Sequence, residues 1–261
     1  MSNVTFTTLL VADDGPTRTI TLNNPARKNA IGPVMVNELL WALSDAQESS
    51  AVRSIVITGA GDAFCAGGDF GQMTGGASAS ELPSKGDYAD LLLALVSCTK
   101  PVVARVNGHA MGGGLGLVAA SHFAIGARGA KLGTPEINVG LFPMMIMAVL
   151  QRVMPRRRLV SMMLLGERVE VDEAVACGLL GKAVDPADLD AAVKQITDTI
   201  AAKSPVAVRL GLQALAAQDD LDLETALPLL RERLAGVLAT DDAREGLMAF
   251  LEKRPPKWTG T

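Results

Sequence analysis

Apolar and polar positions follow two rhythms along the chain, and the switches between them mark its elements. Val4 to Val11 and Thr17 to Leu22 are rich in β-branched residues and flank Asp13-Asp14-Gly15-Pro16, so the chain is expected to open with a hairpin that Asn23-Asn24-Pro25 ends. From Pro33 to Ser49 the apolar residues Val36, Leu39, Leu40 and Leu43 recur at helical spacing, and Arg53 to Thr58 reads as a short buried strand. A glycine-rich loop from Gly59 to Phe70 follows. The same order then returns, with helix Tyr88 to Cys98, strand Pro101 to Val106 and a loop whose Gly112-Gly113-Gly114 opens an apolar helix. Ser121 to Ala127 reads as a further strand, and the segments from Lys131 to about Val184 mix short helices with turns. Beyond Pro186 the pattern is helical throughout, over Leu189 to Ala202, Pro205 to Ala217, Leu223 to Ala239 and Asp241 to Glu252. An α/β core followed by a helical appendage is predicted, and such an appendage is often an oligomerisation surface.

Composition narrows the function classes. The 261 residues are 49% hydrophobic and 20% charged, with a net charge of −4, which suits one domain or one domain plus an appendage. A mildly acidic chain is not drawn to nucleic acid or to an anionic membrane surface, and an acidic ligand would need local basic groups. Cys65, Cys98 and Cys177 are odd in number and irregularly spaced, and with only His109 and His122 no metal-ligand cluster is visible. Disulfides are not expected and a reducing compartment is favoured. Met1 to Phe6 carry no signal-peptide pattern, and the most apolar segment, Ile137 to Leu150, is broken by Asn138 and Pro143 and falls short of the roughly 20 residues of a membrane span. The expected protein is cytoplasmic and soluble. Lys253 to Trp258 form a basic tail that reads as a solvated end.

The two glycine-rich loops carry the candidate chemistry. Ala66-Gly67-Gly68-Asp69 and Gly112-Gly113-Gly114 each expose backbone N–H groups at a strand end, and two such donors converging on one oxygen make an oxyanion hole. A tight strand-to-helix turn is the plain alternative for the triplet. Gly112-Gly113-Gly114-Leu115-Gly116 matches no dinucleotide fingerprint, no P-loop is present, and the absence of G-x-S-x-G disfavours a serine hydrolase. Thr134-Pro135-Glu136 reads as an ordinary helix start with Thr134 as cap; the functional alternative makes Glu136 a carboxylate in an apolar pocket with Val139, Leu141 and Phe142, suited to act as a general base. Met144-Met145-Ile146-Met147 is assigned to the core, with an adaptable acyl pocket as the alternative. Cys65 and His109 are assigned to packing and loop structure.

Phe64-Cys65-Ala66-Gly67-Gly68-Asp69, Val106-Asn107-Gly108-His109-Ala110-Met111-Gly112-Gly113-Gly114 and Thr134-Pro135-Glu136-Ile137, in this order and spacing, closely resemble the crotonase (enoyl-CoA hydratase/isomerase) superfamily. The resemblance covers essentially the whole chain. It implies an α/β fold, a spiral of ββα units over residues 1–190, with a C-terminal helical trimerisation region over 191–261, assembled as a homotrimer or a dimer of trimers. It implies that the N–H groups of Gly68 and Gly113 hold an acyl-CoA thioester carbonyl, with Glu136 as the acid/base. Coenzyme A, here part of the substrate rather than a separate cofactor, would meet Lys28, the Ala66 carbonyl, the Gly67, Asp69 and Phe70 stretch, and Lys253 or Lys257. Met111, Gly116, Val139, Leu141 and Phe142 would line the acyl pocket.

One departure from the family pattern bears on the reaction. Hydratases of the family hold water between two glutamates, and the first of these positions is Gly116 here. His122 also stands where an aspartate is common, and Gly71 where some members carry a lysine that contacts CoA. A single carboxylate suffices to move a proton between C2 and C4, so hydration and Δ3,Δ2 isomerisation both remain open. A non-catalytic acyl-CoA-binding protein is the alternative that the missing glutamate suggests.

Overall fold

A computed structural model describes residues 5–69, 71 and 81–261. Phe70 therefore lies outside the described residues. Strands β1 (Leu9–Asp14) and β2 (Thr17–Leu22) form the expected antiparallel hairpin, with Leu9 opposite Leu22 and Asp14 opposite Thr17. It starts later than the β-branched run suggests. The backbone N–H and hydroxyl groups of Thr7 donate to Glu38 Oε1, and those of Thr8 to Glu38 Oε2, at 2.6 to 2.8 Å, so this carboxylate takes the donors that a longer strand would pair.

After helix α1 (Pro33–Glu48) the chain repeats one unit. Strands β3 (Ser54–Gly59) and β4 (Ala63–Cys65) precede helix α2 (Tyr88–Val96); β5 (Val102–Val106) and β6 (His109–Met111) precede α3 (Gly113–Ala119); β7 (Phe123–Ala127) and β8 (Lys131–Gly133) come next. Each unit sends its first strand to one sheet and its second to another. Helices α4 (Met144–Val153) and α5 (Arg156–Leu165), strand β9 (Arg168–Glu170), helix α6 (Val171–Ala176) and strand β10 (Lys182–Val184) complete the core. The larger sheet runs β1-β2-β3-β5-β7-β10 and is parallel from β2 onward; the smaller runs β4-β6-β8-β9. This is a mixed α/β spiral of ββα turns.

Every residue of β3 is buried, as befits a strand covered on both faces. Alternate side chains serve two cores. Ile55, Ile57, Val102 and Ala104 join the main cluster with α1, α2 and α3, whereas Val56, Val103, Ile125 and Ala127 face Leu189, Ala192 and Val193 of helix α7 (Leu189–Ala201) on the opposite side. Strands β4 and β6 fall in stretches that read as glycine-rich loops. At three residues each they are too short for alternation to register, and parallel pairing between Ala63–Cys65 and His109–Ala110 fixes them instead.

Helices α8 (Pro205–Gln218), α9 (Leu223–Leu238) and α10 (Asp241–Leu251) follow α7. Asp242, at the start of α10, is buried and accepts hydrogen bonds from Ser204 Oγ at 2.7 Å, Thr259 N at 2.7 Å and Gly260 N at 3.1 Å, fastening the chain end to α8. Large apolar side chains of this region face outward, including Leu223 at 75% and Phe250 at 81% exposure. No helix among the described residues is long and apolar enough to cross a membrane.

Candidate active site

The first glycine loop is shaped by a buried asparagine. Lys28 and Asn29 both adopt left-handed backbone angles, φ 49° and 57°, which turn the Asn29 side chain inward. Asn29 Nδ2 lies within hydrogen-bonding distance of the carbonyls of Ala60, Ala63 and Phe64, and Oδ1 accepts from Asn24 N. Neighbouring backbone bonds complete the clamp: Ala66 N donates to Lys28 O, Ile31 N to Gly67 O and Asp69 N to Ile31 O, at 2.7 to 2.9 Å. The N–H of Gly68 falls between these bonds and, among the described residues, donates to none of the carbonyls.

Each glycine of the triplet answers a different demand. Gly112 has φ +48°, and a Cβ there would stand 2.6 Å from Glu136 Oε1. Gly114 lies against Cys65, whose Cβ and Sγ would come within 2.5 and 2.8 Å of an added Cβ. Gly113 between them is the first residue of α3, so its N–H has no intrahelical acceptor. The two loops adjoin, since a Cβ on Gly67 would meet Met111 O at 3.3 Å and Gly112 Cα at 3.8 Å. Among the described residues neither the N–H of Gly68 nor that of Gly113 donates to a backbone carbonyl, and the two belong to neighbouring turns, a disposition able to receive a developing oxyanion.

Glu136 comes from the turn after β8. The expected helix start is a single 3-10 turn, Pro135–Val139, and Thr134 does not cap it: its hydroxyl is buried and donates to Met162 O at 3.1 Å. With the cap directed elsewhere, the Glu136 carboxylate reaches toward Gly112. Its Oε2 is buried and has no hydrogen-bond partner among the described residues. Burial raises its pKa, opposed only by a bond from its own backbone. A carboxylate so placed is a competent proton acceptor.

The apolar residues beyond it differ from expectation. Met144 and Met145 are 62% and 49% exposed, so their assignment to the core is incorrect; only Ile146 of this run is fully buried, because α4 turns that face to α3 and the other outward. Val139 and Leu141 are exposed near Glu136, and Phe142 packs partly on the core. Cys65 is buried, which pushes its thiol up to about 12, and His109 Nδ1 accepts from Lys131 N at 2.9 Å; both are structural.

The candidate CoA contacts divide. Lys28 and Ala66 are exposed beside the first loop, whereas Asp69 is buried and ion-paired with Arg27 at 3.0 Å. Met111 is buried in β6. Lys253 and Lys257 are exposed after α10, where Lys257 N donates to Glu245 Oε1; among the described residues no hydrogen bond or ion pair joins either to the glycine loops.

Sequence reasoning overlooked Tyr88. It is the single tyrosine of the chain, and it opens α2 behind a capping box in which Asp87 accepts from Ala89 N and Asp90 N, and Asp90 from Asp87 N. Asn37 holds the segment before it through Leu82 O, Pro83 O and Lys85 N, and Trp41 donates to Pro83 O. Tyr88 Oη donates to Gly113 O at 2.5 Å. A lone aromatic behind an aspartate cap was the available signal, but its contact with the triplet is tertiary.

Known proteins resemble this chain over most of its length. The profile described as enoyl-CoA hydratase/isomerase matches residues 17–261. The chain is 32% identical to the human protein named enoyl-CoA hydratase domain-containing protein 3, mitochondrial, over 93% of this chain and 80% of that one. It is 29% identical to the short-chain-enoyl-CoA hydratase of Clostridium acetobutylicum, over 94% and 95%. The crystal structure of an enoyl-CoA hydratase from Mycobacterium smegmatis superposes with a TM-score of 0.89 at 33% identity, covering 97% of this chain and 99% of that one.

Proposed function

Because the chain belongs to the enoyl-CoA hydratase/isomerase family, we propose that it adds water to a 2-enoyl-CoA thioester, with the N–H groups of Gly68 and Gly113 holding the thioester oxygen and Glu136 transferring the proton. The observation that carries this reading is the buried Oε2 of Glu136 beside the triplet, which has no hydrogen-bond partner among the described residues. Electron density moving from the C2–C3 double bond onto the thioester oxygen would be met by two backbone donors that need no reorganisation. Loss of one such donor typically costs 10²–10³ in rate.

Coenzyme A enters as part of the substrate. Its phosphates and adenine would lie along the exposed Lys28 and Ala66, with Gly67 close by, and Lys253 or Lys257 would come from a neighbouring copy in a trimer or a dimer of trimers. The acyl chain would run past Met111, Gly116 and Phe142 toward Val139 and Leu141. Asp69, ion-paired with Arg27, would border the same ligand from within this loop.

A second reading, Δ3,Δ2 isomerisation, is favoured by Gly116, because one carboxylate can carry a proton between C2 and C4. Crotonyl-CoA and a 3-enoyl-CoA distinguish the two. Loss of the conjugated thioester on the first substrate is the expected result. Appearance of the conjugated thioester from the second, with no hydration of the first, would replace hydration by isomerisation. Binding of both without turnover would leave an acyl-CoA-binding protein.

A further inference from the structure

We infer that Tyr88 is the second catalytic group of this site: its hydroxyl oxygen fills the volume that a side chain at position 116 would otherwise take, and from there holds the attacking water. The inference rests on the hydration reading above. A Cβ on Gly116 would stand well inside 3 Å of Tyr88 Oη and 2.6 Å from Ile146 Cγ2. The glycine at 116 is therefore no empty place in the wall. A polar oxygen from another element occupies it.

The hydrogen bonding of that oxygen defines what it can do. Its proton is committed to Gly113 O at 2.5 Å, which leaves the phenolic lone pairs as acceptors. A water hydrogen can be received there while the other points to Glu136, which flanks the adjacent Gly112. Burial, then the nearby Cys65 and Glu136, hold the phenol well above its ordinary pKa, so it stays neutral and takes no proton from water. Tyr88 thus orients the water while Glu136 alone moves protons. Glu136 takes one proton from water as the oxygen bonds to C3; the C2–C3 π pair becomes the enolate held by Gly68 and Gly113; Glu136 then returns a proton to C2. Hydroxyl has gone to C3 and hydrogen to C2, with no other reactant.

Two rates separate orientation of water from formation of the enolate. Exchange of the C2 protons of butyryl-CoA with D2O needs the oxyanion donors and Glu136 but no attacking water; hydration of crotonyl-CoA needs all of them. Tyr88→Phe should lower hydration kcat about 10²-fold, the scale of a misplaced reactant, while C2 exchange stays within about twofold of the unaltered protein. Since the chain has one tyrosine, replacing all tyrosine with a ring-fluorinated analogue alters this site alone; it keeps the hydroxyl, weakens its acceptor oxygen, and should slow hydration to an intermediate extent. That protein carries the test if Tyr88→Phe fails to fold. Equal loss of both rates, or no loss in either, would overturn the role of Tyr88. Absence of both reactions in the unaltered protein would instead overturn the hydration reading.

Discussion

Glu136 Oε1 lies 2.6 Å from the point where a Cβ on Gly112 would stand, so the carboxylate and the first glycine of the triplet share one space. The same glycine holds φ +48°, a region costly for residues with a side chain. Gly112→Ala should therefore push the carboxylate away and strain the turn together. The expected result is a loss of about 1 kcal/mol or more in stability and about a 10²-fold slower C2 exchange. Urea unfolding and exchange measured on one preparation check both; an unchanged exchange rate would show that the carboxylate does not need this position.

Replacing Glu136 with Gln should separate stability from activity. Burial raises the carboxyl pKa, so the folded chain keeps a proton in a range where the unfolded chain has lost it. Stability from this group is greatest below the ordinary glutamate value and falls as pH rises through the folded one. At neutral pH the ionised carboxylate is a burden on the fold that glutamine lacks. Glu136→Gln should melt higher than the unaltered protein near about pH 8, converge with it near about pH 4, and show neither hydration nor C2 exchange. In the unaltered protein kcat/KM should rise with pH through the raised value, since the base must be free of its proton. A lower melting temperature for the variant at both pH values would contradict the assignment.

Asn29 supports the first loop from a fully buried position. Asn29→Ala removes the amide shared by the carbonyls of Ala60, Ala63 and Phe64, at about 1–3 kcal/mol for each buried group left without a partner. Asn29→Asp keeps Oδ1 for Asn24 N but loses the donor, and should be nearly as unstable. Both should weaken oxyanion binding through Gly68, read as a lower kcat with little change in KM. Denaturation midpoints at wild-type level would show that the clamp is dispensable.

The long helices and the hairpin were legible because their periods run over enough residues to register. The same cannot hold for β4, β6 and β8, whose three residues give no period and whose existence depends on partners far along the chain. Thr134 followed the local rule for a cap, yet a tertiary acceptor, Met162 O, won its hydroxyl. A run of methionines reads as core because methionine is usually buried, and only the orientation of α4 turns Met144 and Met145 out. The glycine triplet and Glu136 stand out as residue types, whereas Tyr88 cannot: its place is defined by a tertiary hydrogen bond to Gly113 O, 25 residues along the chain.

The exposed leucines of α9 and Phe250 of α10 are too many for an isolated solvated surface. Self-association through the helical region should bury them, and light scattering should give the mass of three or six copies. Paired Leu227→Glu and Leu234→Glu should reduce that mass. A monodisperse single chain at micromolar concentration would exclude this assembly.

Gly116 and Tyr88 should be coupled in stability as well as in chemistry. Gly116→Ala forces a methyl into Tyr88 Oη and Ile146 Cγ2, an overpacking of about 1–3 kcal/mol. Tyr88→Ala alone opens a cavity and gives up the bond to Gly113 O, and should also destabilise. In the double variant the methyl enters space that the ring has vacated, so the two losses should not add. A coupling of about 0.5–3 kcal/mol in a double-mutant cycle is expected, reduced by the contact with Ile146 that remains. Strict additivity would mean that Oη does not fill the space beside Gly116, and would remove the steric basis for Tyr88 standing in place of a side chain there.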